Sequence, residues 1–452
     1  MEINSWTSLV RLVEKRRWLI MIPLACAFIF SHFHRFAMGV VAEDVARDFG
    51  LTHAAELGLL SSIYFYTYAA LQIPAGVTAD TWGPRRTIAA ALLVTAAGTV
   101  MFGLAPNLVW LFAGRFLTAA GVALIYINIV KFYATWFRSR EFGMMCGLSS
   151  FIGNLGFALA AAPLAMMVEN AGWRASFSII AVITLMVAAY CWLVVRDRPQ
   201  ALGWPSIEDI EAAEGVSPAV DAGEKSNIRE SLRTVIANWH TWPPFVAATA
   251  AYGVFTTFAG IWGVPYLMQI HGLTRVEAAS HMVAVSAGYM VTGPVVGYLS
   301  DRFCSRRWPF ALNMMLFLGV WLLFTVWDGG KPPAAALYPL CVILGVGGAG
   351  MTLTMACAKE VNPPRMTGIA TGLVNAGPFL GAALVQPLFG LVLDFGWQGA
   401  YEQGVKVYPL EAFQLAFWLC AGLLAVATVA AFFVKETGCV NIAHKVIRGG
   451  EL

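Results

Sequence analysis

The chain has 452 residues, 59% hydrophobic and only 12% charged, with 29 Lys and Arg against 26 Asp and Glu. Soluble domains carry roughly 25% charge, and no soluble fold of this length could hide so much apolar surface. A net charge of +3 supplies no footprint for nucleic acid, and eight scattered cysteines without a CxxC pair read as apolar filler, not as metal ligands.

Apolar runs of about 20 residues, enough to cross a bilayer core of about 30 Å, recur along the chain. The first spans residues 18–41. A basic N-terminus precedes it, as in a signal peptide. The run exceeds a signal's apolar core and no small-residue cleavage site follows, so a retained first span is expected. Further spans are expected at 57–79, 87–105, 108–134, 143–167 and 174–195, then at 243–268, 278–299, 309–327, 335–358, 367–393 and 411–434. Twelve transmembrane helices make an all-α membrane protein.

Residues 197–238 form the one long polar stretch, with an acidic patch from Glu208 to Glu214, and read as a linker with one amphipathic helix. The expected organisation is a six-helix bundle over 1–196, a cytoplasmic linker over 197–238, a second bundle over 239–436 and a cytoplasmic tail over 437–452. Loops on the N-terminal side of the spans hold 21 Lys and Arg. Loops on the other side hold five: Arg47, Arg174, Arg275, Lys331 and Lys406. Basic loops stay inside, so both termini are predicted to be cytoplasmic in a multi-pass protein of the cell inner membrane.

One loop pattern occurs twice, 221 residues apart. Gly76, Asp80, Arg85 and Arg86 are matched by Gly297, Asp301, Arg306 and Arg307. A residue without Cβ lets two helices approach at a span end. The carboxylate can accept from backbone N–H groups of the next helix and pair with the arginines. Such a loop can latch one face of a bundle and release it, a gating role. Duplication of this kind is how many transporters are built.

With twelve spans, a central linker and this loop in both halves, the chain resembles the major facilitator superfamily over essentially its whole length. The stretch from Gly114 and Arg115 to Gly121 also looks like that superfamily's fourth-span motif. The second loop departs from the pattern, with Cys304 where the signature has a second Gly. The resemblance implies two pseudo-symmetric six-helix bundles and a substrate cavity near the membrane midplane.

Charges inside spans are costly and usually mark function. The three within spans are Arg35, Arg115 and Lys131, while no Asp or Glu stands in the middle of a span. A bound anion is the simplest compensation, with water and backbone carbonyls as alternatives. His32 is three residues before Arg35 and shares its helix face, while His34 points about 100° away. Lys131 lies nearly opposite Arg115 on a continuous helix and can also snorkel to the interface.

Arg35, the run Leu57 to Ser61, Tyr68, Gln72, Pro74 and Gly76, with Lys131, Trp136 and Phe137, resemble the anion:cation symporter branch, which includes sugar-acid and organic-anion porters. The resemblance implies that Arg35 binds the anionic group. Many members carry an Asp before that Arg and a Glu seven residues after the fourth-span Arg; here those positions hold His34 and Val122. His34 is therefore the candidate for proton coupling, since imidazole titrates near neutral pH. Tyr68, Trp262 and Asn375 complete the candidate binding set by analogy with family positions.

The expected function is secondary transport of a small organic anion (carboxylate, phosphate or sulfonate) by alternating access, through proton symport or anion exchange. An efflux pump for drugs, metabolites or siderophores is the alternative, although Gly153 to Gly156 lacks the Gly-Pro motif of proton-linked exporters. A non-transporting sensor is a third class. No nucleophile–base set or nucleotide loop appears, so no enzyme, cofactor or metal is expected. The partners are the solute, the bilayer and protons as candidate co-substrate, in a monomer.

Overall fold

The structure, a computed structural model, describes residues 2–138, 141–214, 228–363, 366–402 and 405–443, without the side chains of residues 2–5, 73, 80, 142–143, 228–229 and 231. Its first helices are α1 (Glu2–Phe36), α2 (Met38–Phe49), α3 (Ala54–Ala70), α4 (Gln72–Thr81), α5 (Pro84–Gly103), α6 (Leu108–Ala123), α7 (Ile125–Trp136), α8 (Phe142–Leu159) and α9 (Ala162–Val194). Two short helices follow, α10 (Ile207–Ala213) and α11 (Ile228–Ala237). The remainder comprises α12 (Trp242–Thr257), α13 (Gly263–His271), α14 (Arg275–Arg302), α15 (Arg307–Val326), α16 (Ala334–Gly348), α17 (Thr354–Val361), α18 (Thr367–Phe395) and α19 (Leu410–Phe432). A two-residue hairpin, β1 (Tyr401–Glu402) and β2 (Val405–Lys406), precedes α19.

Among the described residues, ten helices are long and apolar enough to span a membrane. One of them, residues 144–194, has 51 residues and contains two expected spans, separated where Gly172 leaves helical geometry at φ 76°. The expected second span is divided between α3, which ends at Ala70, and α4, which restarts at Gln72.

Several expected spans are not continuous. The first breaks at Ala37 and the fourth at Leu124. The seventh passes through a π-turn, Phe258–Trp262, and the tenth through a 3-10 turn, Ala349–Leu353. Breaks inside the bilayer leave backbone groups to be satisfied by neighbours. At the tenth span Asn313 does this: its Oδ1 accepts from Gly350 N–H at 2.7 Å and its Nδ2 donates to Val346 O at 3.0 Å.

The helices gather into two compact units. One holds residues 1–35, 67–159 and 167–223; the other holds 36–66, 160–166 and 224–452. In the first, α5 and α6 meet backbone to backbone: a Cβ on Gly98 would lie 2.7 Å from Gly114 O, and one on Gly114 2.8 Å from Gly98 O. Small residues allow that approach where lipid supplies no hydrophobic drive. In the second, α12 packs on α18, α14 on α16 and α15 on α19. Its core is aromatic, with Phe258 against Trp321 at 5.5 Å and Tyr266 against Phe417 at 5.0 Å. The polar ends of these rings are satisfied: Tyr266 donates its hydroxyl to Gly330 O at 2.7 Å, and Trp321 Nε1 donates to Phe417 O at 2.9 Å.

Candidate functional site

Arg35 lies at the end of α1, two residues before the break at Ala37. It is 7% exposed, and its guanidinium stands 5.1 Å from the ring centroid of Tyr68 on α3. The electron-rich ring face receives the cation. Arg115 on α6 is 3% exposed and donates Nη1 to the carbonyl of His34 at 2.7 Å. Two buried guanidiniums therefore meet the same stretch of α1, one as a residue of it and one through its backbone. His34, 1% exposed, sets its ring edge-on to Phe33 at 5.7 Å.

His32 belongs to a neighbouring aromatic group. Its ring meets Phe28 edge-on at 4.5 Å, and Phe28 stacks on Tyr126 at 5.1 Å. Helix α8 makes room for it, since a Cβ on Gly153 would come within 2.8 Å of the imidazole. Lys131 is half-buried on α7, beyond the break at Leu124, so it does not share one continuous helix with Arg115 as expected. The first unit thus brings together Arg35, Tyr68, His34 and Arg115.

Trp262 and Asn375 belong to the second unit. Trp262 closes the π-turn, is 2% exposed and stacks on Phe389 at 5.8 Å. Asn375 is half-buried on α18. Single π-turns in otherwise α-helical spans recur at functional sites.

The repeated loops are built at different ends of one design. In the second copy, Arg306 donates Nη1 to Asp301 Oδ1 at 2.6 Å, as the spacing predicts. It also grips Glu360 with Nε at 3.0 Å and Nη2 at 2.7 Å. Glu436, just past α19, accepts from Arg306 N–H at 2.9 Å and from the Ser305 hydroxyl at 2.5 Å. In the first copy, Arg85 instead donates Nε to Trp192 O at 2.9 Å and lies 4.6 Å over the Trp192 ring. Its N–H is taken by Asp197, just past α9, at 2.8 Å. The side chain of Asp80 is outside the described residues, Arg86 is exposed, and Arg307 lies 5.7 Å from the Trp308 ring. Close helix approach is not found at Gly76 or Gly297, where a Cβ would meet nothing within 4 Å among the described residues. Asp197, Glu360 and Glu436 were missed as loop partners; the signal was an acid just beyond the end of a span, the last span of each half for Asp197 and Glu436 and the tenth for Glu360.

The chain resembles proteins of known name over most of its length. It is 25% identical over 403 residues to the membrane sensor protein UhpC of Escherichia coli, covering 84% of this chain and 87% of that protein. It is 24% identical over 440 residues to the probable sulfoacetate transporter SauU of Cupriavidus necator, covering 93% and 94%. A bacterial homologue of the human lysosomal transporter Spinster shares the fold with a TM-score of 0.77 at 18% identity, over 93% of this chain and 97% of that one. The family profile of the Major Facilitator Superfamily matches residues 24–279 and 244–441. That match takes in both repeated loops and nearly all of the spanning helices, and the chain belongs to the major facilitator superfamily as a multi-pass membrane transporter, not an enzyme.

Proposed function

We propose that the protein carries a small organic anion, a carboxylate, phosphate or sulfonate, across the inner membrane by alternating access, coupled to protons or to a counter-anion. Both termini and both repeated loops then face the cytoplasm. The observation that carries this reading is the pair of buried guanidiniums, Arg35 and Arg115, converging on one stretch of α1. Two positive charges held in a low-dielectric region raise each other's cost, and an entering anion lowers the cost of both. The planar fork of Arg35 suits a two-oxygen anion. Tyr68 holds that fork in place by its ring face. His32, Lys131, Trp262 and Asn375 are the further solute contacts proposed, and His34 the proton-coupling residue. The name of the sulfoacetate transporter supports an anion that carries both carboxylate and sulfonate.

A thermal-shift screen of the purified protein against carboxylates, phosphates and sulfonates identifies the class. Affinity for the hit should fall at least about tenfold in Arg35→Gln and less in Arg35→Lys, which keeps the charge and loses the fork. Unchanged affinity in both variants removes Arg35 from the site. The likeness to a membrane sensor favours a second reading, in which the same site detects the anion without moving it. Uptake into proteoliposomes by protein that binds the anion separates the two.

A further inference from the structure

At the end of the second unit opposite residues 297–307, a cavity of about 420 Å³ opens between α2, α13 and the hairpin. Glu43, Arg47, Gln269, Glu402 and Lys406 line it. Two adjacent acids on α2 are treated differently there. Asp44 is paired with Arg47 at 2.7 Å and with Arg275 at 2.6 Å. Glu43 meets a neutral amide: Gln269 Nε2 donates to its Oε1 at 3.0 Å. The orientation of that amide is fixed, because Gln269 Oε1 accepts from Tyr408 N–H at 3.2 Å.

The other charges around Glu43 are committed. Lys406 pairs with Asp394 at 3.2 Å and lies 4.2 Å over the Trp397 ring. Asp394 also accepts from the Tyr408 hydroxyl at 3.1 Å and from Ala55 N–H at 3.1 Å, with His53 at 3.9 Å. Glu402 is exposed on the hairpin. An amide N–H can donate to a carboxylate or to the carbonyl of a protonated acid, so the Gln269 contact survives either charge state. For a half-buried carboxylate with no ion-pair cation among the described residues, the ionised form is the costlier state and the protonated one is not.

We propose that Glu43 is a proton-binding site of the carrier: protonated, it keeps α2 docked against Gln269 and the hairpin, and ionised, it favours release of α2 and hydration of the cavity. One proton enters from hydronium in the outer solution and no other reactant is needed. Burial holds the Glu43 acid above the usual carboxylate range, with Asp44 adding to the rise and Gln269, Arg275 and Arg47 opposing it. A value raised in the docked arrangement means that docking is favoured at low pH and lost as pH rises through that value. Glu43 stands just past the expected first span, on the helix that resumes after Arg35 and the break.

Spin labels on exposed Asp48→Cys and Tyr401→Cys, with the native cysteines replaced, report the distance between α2 and the hairpin in proteoliposomes. The wild type should show one short distance at pH 5 and a growing longer population by pH 9. Glu43→Gln should lose that response and stay docked at both. Gln269→Glu, which faces a second carboxylate at Glu43, should move the midpoint to higher pH. A flat profile in the wild type, an unchanged response in Glu43→Gln, or an unmoved midpoint in Gln269→Glu overturns the proposal. A response abolished by His34→Gln and kept in Glu43→Gln also overturns it, and assigns the proton to His34. The inference rests on the alternating-access reading, but the measurement needs no solute. A failed anion screen leaves it standing, and a failed pH response leaves the anion reading standing.

Discussion

The loops at 76–86 and 297–307 share a spacing and differ in what holds them. Each begins a helix whose first N–H groups would lie unsatisfied, and each receives a carboxylate from the chain just past the last helix of its half: Asp197 on Arg85 and Glu436 on Arg306. That much is a shared cap. The arginine side chain is where they part. Arg306 is buried among Asp301, Ser300 and Glu360, and Glu360 is further bonded by the Thr437 hydroxyl. Arg85 rests on an indole face and a backbone carbonyl. Among the described side chains, the second copy is held by carboxylates and the first by an indole face and a backbone carbonyl, so repeated residues fix a position in the fold without fixing an energy.

The largest test of that contrast is to remove one of those carboxylates. The side chains of Arg306 and Glu360 are each only 9% exposed. Glu360→Ala leaves a buried guanidinium short of its main carboxylate, and such breaks cost about 3–5 kcal/mol. Among the described contacts, Arg85→Ala removes a cation–π contact and one side-chain hydrogen bond, about 1–2 kcal/mol. Thermal unfolding in detergent should therefore show a fall in Tm for Glu360→Ala at least twice that for Arg85→Ala. Equal falls would mean the two loops are held alike.

The caps should differ less. Asp197→Ala and Glu436→Ala each strip an acceptor from a helix start, a loss of about 1–2 kcal/mol. Glu436 is the larger loss because it also takes Ser305 and Thr437 N–H. It also carries a pH signature. Burial pushes its acid up, but the Ser305 hydroxyl and the N–H groups of Arg306, Gly438 and Arg307 outweigh that and hold it below the usual carboxylate range. With the folded value depressed, its contribution is present above the usual carboxylate range and lost as pH falls through the depressed value. Glu436→Gln should flatten that part of the acid limb in a Tm-against-pH series.

These partners show where sequence reading stopped. Apolar runs locate spans because each must cover a bilayer, and a charge inside one is visible at once, which is how Arg35 and Arg115 were found. Hydropathy averages over a break of one residue, so the interruptions at Ala37 and Leu124 left no mark, while Pro74, which cannot bond the Ala70 carbonyl, was the signal for the one at Leu71. Gly345, Gly347, Gly348 and Gly350 run into the bend at residues 349–353. Acids at span ends, such as Glu43, Glu360 and Glu436, are ambiguous in sequence, because topology, capping and ion pairing all place acids there. The glycines misled for a related reason. A missing Cβ permits close approach without requiring it: Gly98 and Gly114 use the freedom, and Gly76 and Gly297 do not in this arrangement.

The smallest difference between the loops is a single backbone angle. Gly83 has φ 81° at the start of α5, and the Asp197 carboxylate sits 2.7 Å from where its Cβ would be. Cys304 fills the matching place with φ 46°, a left-handed conformation that an L side chain adopts at a cost of about 1 kcal/mol. The turn therefore favours glycine in both copies, and in the second the cysteine that stands there is exposed. Cys304→Gly should relax the turn, but glycine also frees the unfolded chain, which returns part of the gain. The net rise is expected to be a few tenths of a kcal/mol, read as a small increase in Tm. Gly83→Ala should lower Tm by more, since it adds both the strain and the collision with Asp197. If Cys304→Gly instead lowers Tm, the thiol's contact with Asp301 O at 3.5 Å matters more than the backbone, and the two turns are less alike than their angles suggest.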